Sequence, residues 1–444
     1  SGQPPRNPLA LCNPDQRLSL NNPNQFGYAQ PISPTPAYPR GLIQFGSNGK
    51  EIIGGLTVDQ NGNIYLFGTT DGNLGSSVGA GDQIFVVKIN PSGRQEWVTS
   101  IPLANGSLIF DAVTDAQYLY ACGRTLDALP GFKNAGRWDG ILLKITLDTG
   151  KIVAMDQWGN QGIDGYGNIT LDDAGNLYVS GQGSPTGATW TDKYYLLAKH
   201  RTADLSNVWQ VLGEPPGRVF GAAEAWGSIT YSPGNTPGDG KLVVAGWSMT
   251  TGGADAFIAV YQNLNDASPR RAYVTTVASP GVKADWILDN AVDQKGNIYV
   301  VGYTTGNLQG THLGEGDAFI ARFDPILSNP VFKHIGTSRS DQFRKLVIDK
   351  DGNLYALGYT YGSYQGTNSD STQTTGDIFI QKFDQNLNLL GTLQFGTPHE
   401  DRGYLHWWNN SLYIGGMTEG SMVSANLGSF DGFVITLPES MLKP

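Results

Sequence analysis

The sequence is poor in charge, in cysteine and in long apolar runs, and each shortage excludes a class of protein. Charged residues are 15% and aromatic residues 11% of the 444 residues, whereas disordered chains are rich in charge and poor in aromatics. No apolar run approaches the roughly 18 residues of a membrane-spanning helix. The net charge of −10 disfavours nucleic acid, because phosphates require a basic protein face. A soluble, turn-rich globular protein remains.

Motifs for metal binding and catalysis are also scarce. No P-loop, dinucleotide fingerprint or G-x-S-x-G elbow is present. Asp71, Gly72 and Asn73 resemble a fragment of a calcium loop without its closing glutamate, so Ca²⁺ is the one cofactor that stays open. The histidines show no metal-ligand spacing, which predicts no zinc site. They are His200, His312, His334, His399 and His406.

Glycine is abundant instead, and it marks an internal repeat. There are 59 glycines, about 13% of the chain against a usual 7% or so. The pattern D-x-x-G-N-x-Y-x-x-G-x-T recurs, and its second glycine returns every 55–65 residues, at Gly68, Gly123, Gly181, Gly246, Gly302, Gly358 and Gly416. A second motif, D-x-F-x-x-K, follows each copy and begins at Asp82, Asp139, Asp192, Asp255, Asp317, Asp377 and Asp431. Two motifs therefore count the same seven units.

Each unit predicts four strands. The second and third are apolar at nearly every position, which is typical of strands buried on both faces. The first two are joined by a tight turn in which Gly and Asn supply positive φ. Seven four-stranded units predict an all-β fold, a seven-bladed β-propeller.

The two motifs together resemble the SBBP-type bacterial β-propeller repeat, over about residues 42–437. The resemblance implies the propeller fold. It implies little about activity, because proteins of this family are mostly surface proteins of unassigned role.

The last unit lacks a fourth strand, and the start of the chain supplies a candidate. Residues 42–46 resemble the fourth strands of other units, so we expect them to pair with residues 431–437 and close the ring. The chain then divides into a Pro/Asn-rich arm, residues 1–40, and one propeller domain, residues 41–444. The arm is either a loose tether or a cover for a functional face.

Composition favours a secreted or cell-surface location in a bacterium, and we expect any signal peptide to have been removed before Ser1. In that compartment Cys12 and Cys122 could form a disulfide that pins the arm to the second blade. Two free thiols are the alternative.

A repeated carboxylate suggests a candidate site on the face that carries the long loops. Counting back eight residues from each tight first turn gives an acid at the start of the innermost strand in six units: Glu51, Asp164, Glu224, Asp285, Asp341 and Asp401. Aromatic residues follow closely at Tyr166, Trp226, Trp286, Phe343 and Tyr404, and Arg344 and Arg402 interrupt the negative ring.

Two interpretations of this ring stay open. The acids could accept hydrogen bonds from neighbouring backbone and weld the blades together, which would move a binding site outward to the long loops and to Trp190 and Trp247. Alternatively they could surround a funnel that binds a sugar, Ca²⁺ or a cationic partner.

The sequence favours a binding or assembly module for a glycan or a protein, with self-assembly as one form of it. An enzyme is the alternative, similar to the cyanobacterial propeller enzymes that alkylate resorcinol rings, with Asp or Glu as general base and Arg344 or Arg402 holding an anion. Carboxylates with raised pKa in a deep pocket would favour the enzyme. A shallow aromatic face would favour the binding module.

Overall fold

The structure is a computed structural model that describes residues 40–74, 82–101, 103–184, 194–213, 223–250, 253–364, 368–369 and 374–442. For residues 40, 223–226 and 250 it describes the backbone alone. The described residues form 28 strands and one short 3₁₀ helix, Glu439–Met441.

The strands form seven antiparallel sheets of four strands, which confirms the seven blades predicted from the repeat. Blade 1 contains β2 (Glu51–Val58), β3 (Ile64–Thr70), β4 (Gln83–Ile89) and β5 (Gln95–Ile101). Blade 2 contains β6 (Ser107–Thr114), β7 (Tyr118–Thr125), β8 (Asp139–Thr146) and β9 (Ile152–Trp158). Blade 3 contains β10 (Gly165–Leu171), β11 (Asn176–Gly183), β12 (Tyr194–Arg201) and β13 (Asn207–Gly213).

The remaining blades repeat this order. Blade 4 contains β14 (Ala223–Ser232), β15 (Lys241–Thr250), β16 (Gly253–Gln262) and β17 (Arg270–Val277). Blade 5 contains β18 (Asp285–Val292), β19 (Ile298–Thr304), β20 (Asp317–Phe323) and β21 (Val331–Ile335). Blade 6 contains β22 (Asp341–Ile348), β23 (Leu354–Thr360), β24 (Asp377–Phe383) and β25 (Leu389–Phe395). Blade 7 contains β26 (Asp401–Trp408), β27 (Ser411–Thr418), β28 (Asp431–Pro438) and β1 (Arg40–Phe45).

The first strand of the chain closes the ring as predicted. β1 pairs antiparallel with β28, with Phe45 opposite Gly432 and Gln44 opposite Phe433. The Gln44 side-chain amide donates to Asp431 Oδ2 at 2.9 Å and to the Gly420 carbonyl at 3.1 Å. The amino-terminal strand is therefore fixed to the last blade by backbone and side-chain bonds.

The core lies between the blades. Every residue of β3 and β4 is buried, as their apolar composition predicted. Tyr65 and Phe67 of blade 1 belong to one cluster with Ile109 and Leu119 of blade 2, and each further pair of neighbours forms a similar cluster. Burial on both faces of the middle strands is what makes seven thin sheets one stable body.

Each innermost strand except β26 carries a bulge near its start, and the repeated glycine lies beside it. The extra residue in blade 6 is Arg344, because Phe343 pairs with Gly358 and Lys345 with Leu357. A Cβ at Gly358 would collide with the carbonyl oxygen of Gln342. Glycine is needed here because strands one and two approach too closely at the bulge for any side chain.

The D-x-x-G-N-x-Y pattern serves the first turn of a blade. In blade 1, Asp59 Oδ1 accepts the N–H groups of Asn61 and Asn63, and its Oδ2 accepts the Tyr65 hydroxyl at 2.8 Å. Gly62 in this turn has φ of 81°. The motif thus builds a hydrogen-bonded turn.

Cys122 is a free cysteine with a fully buried side chain on β7. Its surroundings are the apolar interface of blades 2 and 3, including Leu142 and Ile169. Its predicted disulfide partner, Cys12, lies outside the described residues, so the Cys12–Cys122 pairing stays a prediction. The described part of the chain also contains no helix with the length and hydrophobicity of a membrane span.

Candidate functional site

The predicted ring of acids lies where the repeat placed it, at the start of the innermost strands. Their side chains are enclosed by protein. The described members are at most 1% exposed: Glu51, Asp164, Asp285, Asp341 and Asp401. The side chains of Glu224 and Trp226, and the whole of Trp190, lie outside the described residues.

Each of these acids accepts hydrogen bonds from its own blade connection. Asp285 accepts the backbone N–H of Ser279 at 2.6 Å, the Ser279 hydroxyl at 2.7 Å and the Thr304 hydroxyl at 2.6 Å. Glu51, Asp341 and Asp401 repeat the scheme with Ser47 and Thr70, with Thr337 and Thr360, and with Thr397 and Thr418. The carboxylates thereby tie each connection to the end of the second strand, which is the structural one of the two interpretations.

Burial also makes Glu51, Asp164, Asp341 and Asp401 hard to ionise. It raises the pKa of Asp401 to about 8 and that of Asp164 to about 6, against the opposing effect of the hydrogen bonds they accept. The pKa values of Glu51 and Asp341 are raised by burial as well. With their oxygens occupied and shielded, these groups support the fold rather than face a ligand.

The predicted aromatic residues separate into two groups. Tyr166 and Phe343 are fully buried, and Phe343 stacks on Phe379 with ring centroids 5.1 Å apart. Trp286 is half-buried and lies 6.0 Å from Trp247, ring to ring. Among the predicted aromatic residues, Trp247 and Tyr404 line the central cavity.

The bulges of five innermost strands border a central cavity of about 370 Å³. Their extra residues, Gly54, Phe110, Gly167, Leu288 and Arg344, all line it. Trp247, Lys345 and Tyr404 complete its polar and aromatic lining. A bulge changes the direction of a residue without ending the strand, so the bulges both bend the innermost strands and supply residues to the cavity wall.

Cations and aromatic rings are interleaved around this cavity. Arg344 and Lys345 line it directly. The Arg124 guanidinium lies 4.4 Å from the Trp138 ring centroid and 5.6 Å from that of Phe110, a cavity residue. Arg402, also predicted for the site, is held by Glu400 at 3.1 Å and lies over the Tyr359 ring.

A second cavity, of about 310 Å³, adjoins the first along the central axis and shares Gly54, Lys345 and Tyr404 with it. It contains two acids that the sequence analysis missed, Asp111 and Asp289. Each accepts a backbone N–H of the next blade: Asp111 from Ile169 at 3.0 Å and Asp289 from Leu346 at 2.9 Å.

Charges in this second cavity shift one another's protonation. Burial raises the pKa of Asp289 to about 6 and raises that of Asp111, although the Lys345 ammonium opposes both shifts. Burial disfavours the charged amine of Lys345, but Asp289 and Asp111 outweigh it and raise the lysine pKa. Burial alone lowers the pKa of His406, which lines the same cavity, to about 4. The two adjoining cavities, called the central channel below, therefore contain a lysine cation close to two carboxyl groups of raised pKa.

The sequence did contain a signal for these three residues. Asp111, Asp289 and Lys345 all lie four residues after the position of the predicted acid, in blades 2, 5 and 6. This shared offset identifies the position that directly follows the bulge. The calcium-loop fragment is different: Asp71 accepts the Lys50 N–H at 2.7 Å, and calcium binding there stays a prediction.

The family comparison agrees with the repeat. A family model described as a β-propeller repeat, SBBP, matches residues 43–75 and 291–309. The chain folds as a seven-bladed β-propeller and carries SBBP-type repeat sequence in these two segments. Comparison with curated proteins finds no match.

Solved structures of similar shape share little sequence with this chain. The quinohemoprotein alcohol dehydrogenase ADHIIG from Pseudomonas putida HK5 is 10% identical with a TM-score of 0.46, over 86% of this chain and 66% of that longer one, just under two thirds. Kuenenia stuttgartiensis hydrazine synthase is 11% identical with a TM-score of 0.48, over 82% and 92% of the two chains. Pseudomonas brassicacearum lignostilbene dioxygenase is 10% identical with a TM-score of 0.47, over 94% and 92%. At this distance the likenesses carry no argument about activity.

Proposed function

We propose that this propeller is a binding module whose central channel takes an anionic, ring-containing ligand, with acidic glycans as the ligand class. The observation that carries the proposal is the lining of the first central cavity, the one of about 370 Å³. Arg344 and Lys345 face it beside Phe110, Trp247 and Tyr404, in a protein whose net charge is −10. Cations gathered at one concave place on an acidic protein favour a negatively charged ligand there.

The chemistry of the lining suits such a ligand. Aromatic side chains offer flat apolar faces to a sugar ring, with a polar edge for Trp and Tyr. An arginine fork can bind a carboxylate through two parallel hydrogen bonds, which gives orientation as well as attraction. The two cavities together are large enough for a small oligosaccharide segment, since ligand pockets commonly measure about 300–1,000 Å³.

The position of the cavity favours entry from the face with the long loops. Cavity residues lie in the first half of the innermost strands, and these strands begin beside the ends of the second strands, as the pairing of Asp285 with Thr304 illustrates. The connections between strands two and three leave from that same end. A secreted or cell-surface location, and assembly through the same face, remain parts of the proposal that composition supports.

Calorimetry with the full chain tests the binding module. Uronic-acid oligosaccharides and neutral oligosaccharides of equal length are the probes. We expect binding of the acidic series alone, weakening as salt increases. Arg344→Gln should weaken it by about tenfold or more, since a charge-assisted bond contributes roughly 1.5–3 kcal/mol. The matched control is Arg270→Gln, an exposed arginine of outer strand β17. Equal affinity for both series, or equal losses in both variants, would contradict the proposal.

An enzyme is the second candidate, and one observation favours it. Asp289 lies in a deep cavity with its pKa raised to about 6, near the range in which a carboxylate works as a general base at neutral pH. Such a base could take the proton of a phenol while the ring carbon displaces chloride from an alkyl chloride, so that a C–C bond forms as the C–Cl bond breaks. The proton on the alkylated ring carbon then moves to the phenol oxygen, which restores the aromatic ring. The lysine cation beside it could stabilise the phenolate.

Incubation with resorcinol and an alkyl chloride, followed by mass spectrometry, tests this second candidate. An alkylated ring formed by the wild type and lost in Asp289→Asn would establish it. Acidic-glycan binding that Asp289→Asn retains, with no alkylated product from either protein, would leave the binding module alone.

A further inference from the structure

Two histidines converge on one carboxylate in blade 5, away from the central channel. Asp317, the first residue of β20, is fully buried. The Nδ1 atoms of His334 and His312 lie 2.9 Å and 3.2 Å from its Oδ2. The donor atoms of all three side chains lie within 4.8 Å of one another. The two histidines are far apart in sequence, so their spacing did not indicate a metal site.

The other blades show what this position normally contains. In blades 2, 6 and 7 the equivalent aspartate accepts a glutamine amide from the fourth strand, and the loop position holds asparagine. These sets are Asn134, Asp139 and Gln157; Asn368, Asp377 and Gln394; and Asn426, Asp431 and Gln44. In all four blades the backbone N–H that follows the loop residue donates to the aspartate.

The loop backbone confirms this equivalence. The His312 N–H donates to Asn307 Oδ1 at 2.9 Å. The N–H groups of Asn368 and Asn426 likewise donate to the side chain five residues earlier, Ser363 and Ser421. Blade 5 therefore retains the backbone scheme while imidazoles replace both amides. The fold alone does not require histidines here, because blades 2, 6 and 7 form the same connection with Asn and Gln.

One imidazole has a nitrogen that the protein leaves unsatisfied. His312 Nδ1 is buried and has no hydrogen-bond partner, although Asp317 Oδ2 lies 3.2 Å away. A buried polar atom without a partner is costly, and in native proteins it commonly indicates an ion or water. The His312 side chain is 26% exposed, which leaves a path from solvent.

The second imidazole has partners for both of its tautomers. His334 Nε2 lies 3.1 Å from the Leu308 N–H nitrogen and 3.1 Å from the Leu308 carbonyl oxygen. With the proton on Nδ1, the ring donates to Asp317 and accepts from Leu308. With the proton on Nε2, the ring donates to the Leu308 carbonyl and Nδ1 presents a lone pair. A ligating histidine that donates its other N–H to a backbone carbonyl is the usual support of a metal site.

We propose that His312 Nδ1, His334 Nδ1 and Asp317 Oδ2 bind a divalent transition metal of the zinc class. Bonds of about 2.0–2.2 Å in tetrahedral geometry place ligand atoms roughly 3.3 Å apart, close to the distances present here. Two imidazoles and one carboxylate suit Zn²⁺ better than Ca²⁺ or Mg²⁺, which prefer oxygen. Three protein ligands leave the fourth position to water or to an external ligand. This site is independent of the central channel.

The experiment measures metal content and stability of the full chain. After equilibration with Zn²⁺ and removal of the free ion, mass spectrometry should find one zinc per chain, and zinc should raise the unfolding midpoint. Co²⁺ in its place should give the visible absorption of a tetrahedral N/O site. The double variant His312→Asn and His334→Gln reproduces blades 2, 6 and 7, so it should fold normally while it loses the metal, the absorption and the zinc-dependent midpoint shift.

His399→Asn is the matched control, because His399 is an exposed histidine outside the cluster and its loss should leave one zinc bound. Retention of a full equivalent of zinc by the double variant would overturn the proposal. So would a wild type that binds no zinc at all.

Discussion

A single missing Cβ decides how closely two strands of a blade approach each other. Gly358 lies opposite the bulge of β22, where a side chain would meet the Gln342 carbonyl oxygen. The atoms that a new Cβ would meet belong to the backbone of Gln342 and Phe343, which cannot shift as a flexible side chain could. The same collision would occur at Gly302 with Trp286 and at Gly416 with Arg402. Six of the seven repeated glycines make this close approach to a backbone oxygen, which explains their regular spacing in the sequence.

Gly358→Ala should lower the free energy of unfolding by about 1–3 kcal/mol, the usual cost of overpacking. Gly376→Ala is the control in the same blade, because a Cβ there would have no neighbour closer than 3.7 Å. We expect the control to stay within about 0.5 kcal/mol of wild type. Denaturant unfolding of both variants measures the difference, and two equal losses would contradict this account of the repeat.

Lys345 is the residue on which the charge balance of the channel depends. It lowers the pKa values of Asp289 and Asp111, which burial raises. In Lys345→Gln both pKa values should rise further. A carboxyl group with a raised folded-state pKa favours the protonated form, so its unfavourable effect on stability grows as pH increases from the unfolded-state pKa to the folded-state pKa and is absent below the unfolded value.

The stability deficit of Lys345→Gln should therefore be larger at pH 8 than at pH 4.5. Denaturant unfolding at both pH values measures it. Adding Asp289→Asn removes one of the two buried charges and should recover part of the loss at pH 8. A deficit that is independent of pH, with no recovery in the double variant, would indicate that Lys345 contributes packing alone.

At the scale of the element, the Gln44 side chain joins the two ends of the chain through the same hydrogen bonds that Gln394 makes within blade 6. Gln44 accepts the N–H groups of Val423 and Ser424 and donates to Asp431 and to the Gly420 carbonyl. Gln394 makes the corresponding set of bonds in blade 6. Strand β1 is thus bound as a true fourth strand rather than as a loose edge.

Gln44→Ala should cost about 2–4 kcal/mol, because several buried polar groups lose their partner at about 1–3 kcal/mol each. Gln394→Ala should cost a similar amount, since the same bonds are lost within one continuous blade. Gln294→Ala, at an exposed turn, is the neutral control. Thermal and denaturant unfolding give the values. A harmless Gln44→Ala beside a damaging Gln394→Ala would mean that the side chain is not needed for closure.

Sequence reasoning predicted the blades because strand, turn and close approach each require particular residues at particular offsets. Asp59 and Gly62 identify a turn wherever they occur with this spacing, and β1 resembles other fourth strands. The lining of the channel was harder to predict. A bulge shifts the strand register, so the alternation of apolar and polar residues does not reveal on which side of the strand a bulge residue such as Phe110 lies. His312 and His334 were hidden for a related reason: a connection and a fourth strand meet only after the blade folds.

On the scale of the whole molecule, the ring is held by packing between neighbours and by one closure. Blades 1 and 7 meet at a cluster that includes Leu42, Phe45 and Phe85, so β1 touches both. The Phe45 and Phe85 rings meet edge to face, with centroids 6.3 Å apart. Without β1, strand β28 would become an exposed edge beside an opened interface, and exposed edges promote pairing between chains.

Two truncations separate the role of this strand from that of the arm before it. A chain that lacks residues 1–39 retains β1, whereas one that lacks residues 1–46 loses it. We expect the second to unfold at a clearly lower temperature than the first and to associate, as measured by calorimetry and light scattering. A synthetic peptide of residues 40–48 should restore part of the midpoint by adding the missing strand, because main-chain pairing gives affinity and the Phe45 and Gln44 sites give specificity. The same peptide with Gln44→Ala should restore less. Identical midpoints for the two truncations would show that seven blades hold their ring without the closure.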